Sequence, residues 1–258
     1  MKVIAVYNHK GGVGKTVTAV NFAYNLSVLG YRVLLIDMDP QGNSSAFYSR
    51  YSLNKASIAD FLVGRYSLSR CIYRTRHQNL DIIQGNMDLR KVTREQLGKE
   101  DTSKLLSGLI DVESRYDFCI IDCPPAVNFL IETVMVTTMD VIVPMKPDRF
   151  SVDGLDGVID IVNAYASPST EIACLFTQFY KCNDTNRAIE HVTETTNVPI
   201  YESKIRRSCA VDHSIYAHRP LLRCASRSTT AEDYVKFTKE YLENLEKEED
   251  YDITGEFA

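Results

Sequence analysis

Apolar residues in this chain arrive in short runs, and the stretches between them carry apolar positions at helical spacing. Residues 2–7 form a β-rich run. In residues 16–29, Val20, Ala23, Tyr24 and Ser27 fall on related turns of a helix, which Gly30 stops. "RVLLID" follows as a strand, and later apolar runs are "LDIIQG", "FCIID", "DVIVPM" and "EIACLFT". Helical patterns fall near residues 101–115, 127–137, 151–165, 184–196 and 229–247. Strands apolar on both faces, alternating with helices, predict an α/β fold: a doubly wound, mostly parallel sheet flanked by helices on both faces. No internal repeat and no linker rich in proline, glycine or serine divides the chain, so residues 1–245 read as a single domain. Residues 246–258, "EKEEDYDITGEFA", read as an acidic, flexible tail.

Composition narrows the class. The 258 residues are 45% hydrophobic and 24% charged, which suits a folded core and excludes wholesale disorder. No apolar run reaches the roughly 18–20 residues of a membrane helix, and the N-terminus lacks the apolar centre of a signal peptide. A cytoplasmic protein with no membrane partner is expected. The seven cysteines are odd in number and form no CxxC pair, which argues against a disulfide framework. Cys119 and Cys123 stand in "FCIIDCPP" and read as residues of a buried strand rather than metal ligands. The net charge of −5 excludes a generally basic nucleic-acid coat but permits a local basic patch.

The chemistry begins in "NHKGGVGKT", residues 8–16. Gly11, Gly12 and Gly14 permit tight backbone angles and let main-chain N–H groups converge on an anion, and the helix that follows adds its positive end. Lys15 supplies a point charge for β- and γ-phosphates, and the Thr16 hydroxyl suits Mg²⁺. The loop departs from the usual G-x-x-x-x-G-K-[ST] pattern, because His9 takes the place of the first glycine and a second lysine, Lys10, stands beside it. Candidate nucleotide-binding residues are thus Lys10, Gly11, Gly12, Val13, Gly14, Lys15, Thr16 and Val17. The second strand ends in "LLIDMDPQGN", where Asp37 and Asp39 share a face beside this loop and are suited to orienting water or holding the hydration shell of Mg²⁺. "YDFCIIDCPP" places Asp122 at the end of a strand of the Walker B kind.

Together "KGGVGKT", "DMDPQGN" and "IIDCPP" resemble the deviant Walker A, A′ and Walker B motifs of the ParA/MinD ATPases, with the nearest likeness to small ParA partition proteins of the Soj type. "SIADFL", "LDIIQGNMDL" and the stretch "IRRSCAVDHSIYAHRPLLRCASRSTTAEDY" extend the likeness over nearly the whole chain. The resemblance implies a P-loop ATPase with ATP and Mg²⁺, in which Lys10 reaches across a nucleotide-sandwich dimer to the phosphates of the other subunit. It implies Lys15 as the lysine acting in cis, Thr16 as Mg²⁺ ligand, Asp39 as the aspartate that positions water and Asp122 as the Walker B aspartate, with Asp37 near the Mg²⁺ shell. Lys10, Lys15 and Asp39 are then the catalytic set, and Thr16, Asp39 and Asp122 the metal set. It also implies weak intrinsic hydrolysis, non-specific DNA binding by the ATP dimer on the nucleoid, and release by a ParB-like centromere-binding partner during segregation of a plasmid, chromosome or mobile element. The alternative is a nucleotide-switched positioning ATPase acting on a protein cargo.

DNA contact requires Lys and Arg against phosphates. The C-terminal third offers Arg206, Arg207, Arg219 and Arg223, with Lys204 and Arg227 nearby, and these form the expected patch. Best-known chromosomal members carry "IPRN" where this chain has Arg206 and Ser208. They also carry an arginine where it has Ala210 and at the position of Asp184. The acidic end of the chain is unlike the basic amphipathic helix of MinD-like proteins.

Overall fold

A computed structural model describes residues 1–48, 55–95 and 102–255. Seven strands form one sheet: β1 (Lys2–Val6), β2 (Val33–Asp37), β3 (Ile72–Arg74), β4 (Leu80–Ile83), β5 (Phe118–Asp122), β6 (Asp140–Met145) and β7 (Glu171–Phe176). Their order is β3-β4-β2-β5-β1-β6-β7, parallel throughout except for β3, which runs antiparallel to β4 at one edge. The interior strands β2 and β5 are buried at every position, as all-apolar runs between two helical layers must be.

The helices are α1 (Lys15–Val28), α2 (Asn43–Tyr48), α3 (Ile58–Leu62), α4 (Lys104–Ile110), α5 (Phe129–Thr137), α6 (Arg149–Asp153), α7 (Leu155–Tyr165), α8 (Asn183–Thr195), α9 (Cys209–Ala217), α10 (Leu221–Cys224) and α11 (Thr229–Gly255). Alternation along β1 divides them into two cores. Val3 and Ala5 face a cluster built with α3, α4, α5 and α7, and Ile4 and Val6 face one built with α1 and α11. In the second cluster the rings of Phe22 and Phe237 lie 5.2 Å apart and seal α1 beneath α11.

The doubly wound, mostly parallel sheet expected from the sequence is thus the fold. Several elements differ from their expected bounds. The helix expected over 101–115 is α4 followed by a 3-10 turn at Glu113–Arg115, with residue 101 outside the described residues. The one expected over 151–165 breaks at Gly154 into α6 and α7, since Gly154 serves both as C-cap of the first and N-cap of the second. The final helix runs past 247 to Gly255, and 256–258 lie outside the described residues. Short helices α2, α3, α9 and α10 carry too few turns for a period to show in sequence.

Candidate active site

Sheet register builds the site. Val6, Asp37 and Asp122 end their strands side by side, because Asp37 pairs with Asp122 and Asp122 with Val6. That row is the carboxyl edge of the sheet where the chain switches direction about β1, the usual location for a ligand in this architecture. The loop 8–14 leaves β1 there. Buried Asn8 holds its start, accepting from the Lys10 N–H at 2.9 Å while donating from Nδ2 to the Pro144 carbonyl at 2.9 Å. Gly12 and Gly14 take left-handed angles, φ 70° and 91°, which side chains rarely adopt. Gly14 caps α1, and the free N–H groups of the first helical turn open toward the loop.

Lys15 is 7% exposed, and its Nζ donates to the Lys10 carbonyl at 2.7 Å, so the ammonium lies across the loop. Burial lowers the Lys15 pKa, and the carboxylates of Asp122 and Asp39 oppose the shift. Lys10 lays its side chain on Gly154 instead. A Cβ placed on Gly154 would stand 2.6 Å from Lys10 Cε and 3.2 Å from His9 Nε2, so this glycine leaves room for both. His9, in the position of the missing first glycine, packs against Gly154 and Gly157, and its Nδ1 is buried without a hydrogen-bond partner. Lys146 brings a third ammonium to the loop, its Nζ 3.9 Å from where a Cβ on Gly12 would be.

The carboxylates differ in what their oxygens do. Asp37 is fully buried: Oδ1 accepts from the Asp39 N–H at 3.1 Å, and Oδ2 accepts from the Ser45 N–H at 2.8 Å and the Ser45 hydroxyl at 2.7 Å. Burial, with the Asp122 charge beside it, pushes its pKa up. It braces the turn after β2, each of its oxygens accepting from that turn. Asp122 is also fully buried, and its pKa rises for the same first reason, burial. Its Oδ2 accepts from Ser44 Oγ at 2.6 Å, Thr16 hydrogen-bonds it as well, and Oδ1 has no partner. A buried, unpaired carboxylate oxygen beside a threonine hydroxyl suits a hard divalent cation with oxygen ligands, so the donor set fits Mg²⁺. Asp39 accepts from the Gln41 N–H at 2.8 Å and lies 8% exposed at the mouth of this group.

A cleft of about 500 Å³ continues from the loop, lined by Gly14, Val17, Gln178, Arg207, Cys209 and Tyr234 among others. Gln178, at a left-handed φ of 50°, donates to the Gly12 carbonyl at 2.8 Å, and Thr177 donates to the Val13 carbonyl at 2.7 Å. The strand end after β7 therefore clamps the phosphate loop from behind. Sequence reading missed Asn8, Ser44, Ser45, Thr177 and Gln178, since each is common in turns and only the register brings it to the loop.

The four expected DNA-contacting arginines line two clefts, Arg206 and Arg207 one and Arg219 and Arg223 another. Arg206 is held by Asp233, through Nε at 2.9 Å and Nη2 at 2.6 Å, and Arg207 lines the cleft just described. Arg219 and Arg223 instead line a separate cleft with Arg76 and His77. Asp233 lies 27 residues from Arg206 on α11, a pairing no local pattern discloses.

This site and sheet define the class, a P-loop ATPase of the deviant Walker A kind. A family model describing an AAA domain matches residues 1–172. The chain is 30% identical over 253 residues to the sporulation initiation inhibitor protein Soj of Bacillus subtilis, covering 94% of this chain and 99% of Soj. It is equally 30% identical to the chromosome partitioning protein ParA of Caulobacter vibrioides over 252 residues, 94% of each chain. Among solved structures, cobyrinic acid a,c-diamide synthase from Mycobacterium smegmatis with bound ADP and magnesium superposes with a TM-score of 0.83 at 24% identity, over 95% of this chain and 96% of that one. The chain belongs to the ParA/MinD family of ATPases. Among the described residues, no helix is long and apolar enough to cross a membrane, and no group of three or more His, Cys, Asp or Glu is placed to hold a metal by itself.

Proposed function

We propose that this chain is a DNA-partitioning ATPase whose ATP-bound form is a sandwich dimer that sits non-specifically on DNA. A ParB-like partner then stimulates hydrolysis and releases the dimer. The observation that carries the reading is the division of labour between two lysines on one loop: Lys15 ties its ammonium to the loop's own backbone, and Lys10 rests its side chain beside His9 on Gly154. A lysine whose ammonium is not tied to its own loop is available to a second copy, which would make hydrolysis conditional on pairing. The relative named chromosome partitioning protein ParA supports the DNA role.

In the proposed site the backbone N–H groups at the start of α1 and the Lys15 ammonium hold the β- and γ-phosphates. Mg²⁺, which Thr16 and Asp122 would hold, would supply charge neutralisation on the phosphates. Asp39 orients the attacking water. Lys10 of the second copy stabilises charge on the transferring phosphoryl, the largest kind of contribution available where no covalent chemistry is done by protein. Asp37 acts one step back, fixing Ser45 and the turn that carries Asp39. The 500 Å³ cleft beside Gln178 and Arg207 takes the nucleoside.

Co-sedimentation with non-specific duplex DNA in ATP, in ADP and without nucleotide tests the proposal. Retention in ATP alone is expected. Retention that ignores nucleotide, or no retention with nucleotide-dependent capture of a protein cargo, would favour the positioning alternative.

A further inference from the structure

Arg76 and His77 lie in the turn between β3 and β4, Arg219 just after α9, and Arg223 within α10. These four side chains line a cleft of about 210 Å³ on their own. The cleft is held together from both sides. Arg76 donates from Nη2 to the carbonyl of His218, whose left-handed backbone (φ 49°) turns that oxygen toward it. Arg76 Nε faces His77 Nε2 at 3.4 Å. His77 is wedged edge-on between Tyr24 of α1 and Tyr48 of α2, ring centroids 4.9 and 5.5 Å away.

Counter-charge is missing. Arg32, Arg65, Arg94, Arg149 and Arg206 each lie within ion-pairing distance of a carboxylate. Among the described residues Arg76, Arg219 and Arg223 have none. The groups facing His77 are Tyr24, Tyr48, Arg76 and Arg223, none of them an acid. Three converging guanidinium groups beside a half-buried imidazole are a poor arrangement for an empty surface and a good one for a phosphate, which guanidinium forks bind bidentately. The cleft also continues. Arg76 and His77 line a neighbouring groove as well, with Arg74, Arg115 and Arg32 along it; Arg32 is neutralised by Asp117, and the groove's one acid, Asp81, accepts from the Tyr116 hydroxyl at 2.8 Å. A row of cations of this kind matches the repeated charge of a polyanion better than a single small ion.

The geometry points to this cleft as a seat for nucleic-acid backbone phosphate, formed jointly by the β3–β4 turn and the α9–α10 segment. The assignment rests on the DNA-binding reading above and changes its residues: Arg76 and His77 enter, and Arg206 and Arg207 leave. The nine residues of α9 span about 13 Å between the nucleoside cleft, where Cys209 stands, and Arg219. The two clefts therefore share one rigid element.

Binding of a fluorescent non-specific duplex in a slowly hydrolysed ATP analogue, measured over a salt series, tests the assignment. The triple variant Arg76→Gln, Arg219→Gln, Arg223→Gln should bind at least about tenfold more weakly. Its salt slope should fall by about one for each phosphate that the variant no longer neutralises. Arg65→Gln, at an arginine paired with Asp60 and lining neither cleft, should leave the slope unchanged. Arg219→Lys, Arg223→Lys, which keeps the charge and the Arg76 contacts but not the bidentate forks, should restore the salt slope and recover only part of the affinity. In labelled protein the His77 imidazole, held near a pKa of about 4 by burial and the two arginines, should titrate at least one unit higher when duplex is bound. If the unaltered chain binds no DNA in the ATP form, the DNA reading fails and the seat fails with it. If the unaltered chain binds and the triple variant binds equally with the same slope, only the seat is overturned. A triple variant that binds phosphatidylserine vesicles less well, with DNA binding intact, would overturn it in favour of a membrane surface.

Discussion

Lys15 Nζ donates to the backbone carbonyl of Lys10 at 2.7 Å, so the two lysines of the loop are joined through the main chain of one and the side chain of the other. The bond does not involve the Lys10 side chain, and substitutions at the two positions should therefore separate. Lys15→Ala removes the buried ammonium and should abolish ATP binding in calorimetric titration. Lys10→Ala should leave binding to the single chain nearly intact while lowering stimulated turnover by about 10²–10³-fold, the usual effect of losing one preorganised donor at a developing charge. Equal loss of binding in both variants would mean that Lys10 serves its own loop.

Gly154 is where the Lys10 side chain rests. A methyl there would stand 2.6 Å from Lys10 Cε and 3.2 Å from His9 Nε2, so the far end of the flexible Lys10 side chain has to move and the His9 ring to give by a few tenths of an ångström. Gly154→Ala should change stability by less than about 1 kcal/mol, in the range of ordinary permissive substitutions. With its resting place filled, Lys10 is displaced from the single chain, and dimerisation should begin at lower ATP concentration. Unchanged midpoints in an ATP titration followed by light scattering would show that the resting contact has no bearing on pairing.

Gly85 behaves differently because its neighbours are backbone. A Cβ there would lie 2.4 Å from the Asp37 carbonyl oxygen and 3.0 Å from that of Asp39. Gly85→Ala must push apart β4 and the end of β2, so a loss of about 1–3 kcal/mol is expected in urea unfolding, as for other overpacked sites. ATP affinity should fall with it, since the Gly85 N–H also donates to Ser45 Oγ at 2.9 Å, the hydroxyl that steadies Asp37.

The cysteines report on the nucleoside cleft. Cys71, Cys119, Cys123 and Cys174 are buried and Cys209 is exposed at the cleft wall. Burial pushes the Cys71 thiol up to about 11 and raises the other three as well, so few thiolates form there at neutral pH. A water-soluble thiol reagent should label Cys209 first and leave those four unlabelled until unfolding. Nucleotide should slow the Cys209 reaction, and an unchanged rate in saturating ADP would place the nucleoside elsewhere.

Much of this was legible in the sequence because the phosphate site is local. A strand, a glycine loop and a helix follow one another without interruption, and Asp37 and Asp122 each end an apolar run. What was not legible depends on register. Ser44 reaches Asp122 across 78 positions and Thr177 reaches Val13 across 164, and serine or threonine at such places signals only a turn. Arg206 looks like a free cation in the sequence because Asp233 lies 27 residues on, in α11. Arg76 and His77 carry no signal there because they sit in a turn of a short edge hairpin, far in sequence from the arginines they join. Asp37 shows the converse: its position beside the loop follows from the sequence, yet both its oxygens are occupied by the turn it braces.

The central claim is that ATP joins two copies through Lys10. Solution mass in ATP, measured on Asp39→Ala to block hydrolysis and on Asp39→Ala with Lys10→Ala, tests it most directly. The single variant should appear at twice the chain mass of 29.2 kDa in ATP and at the chain mass in ADP, and the double variant should stay at the chain mass in both. A double variant that pairs as readily as the single one would contradict the account.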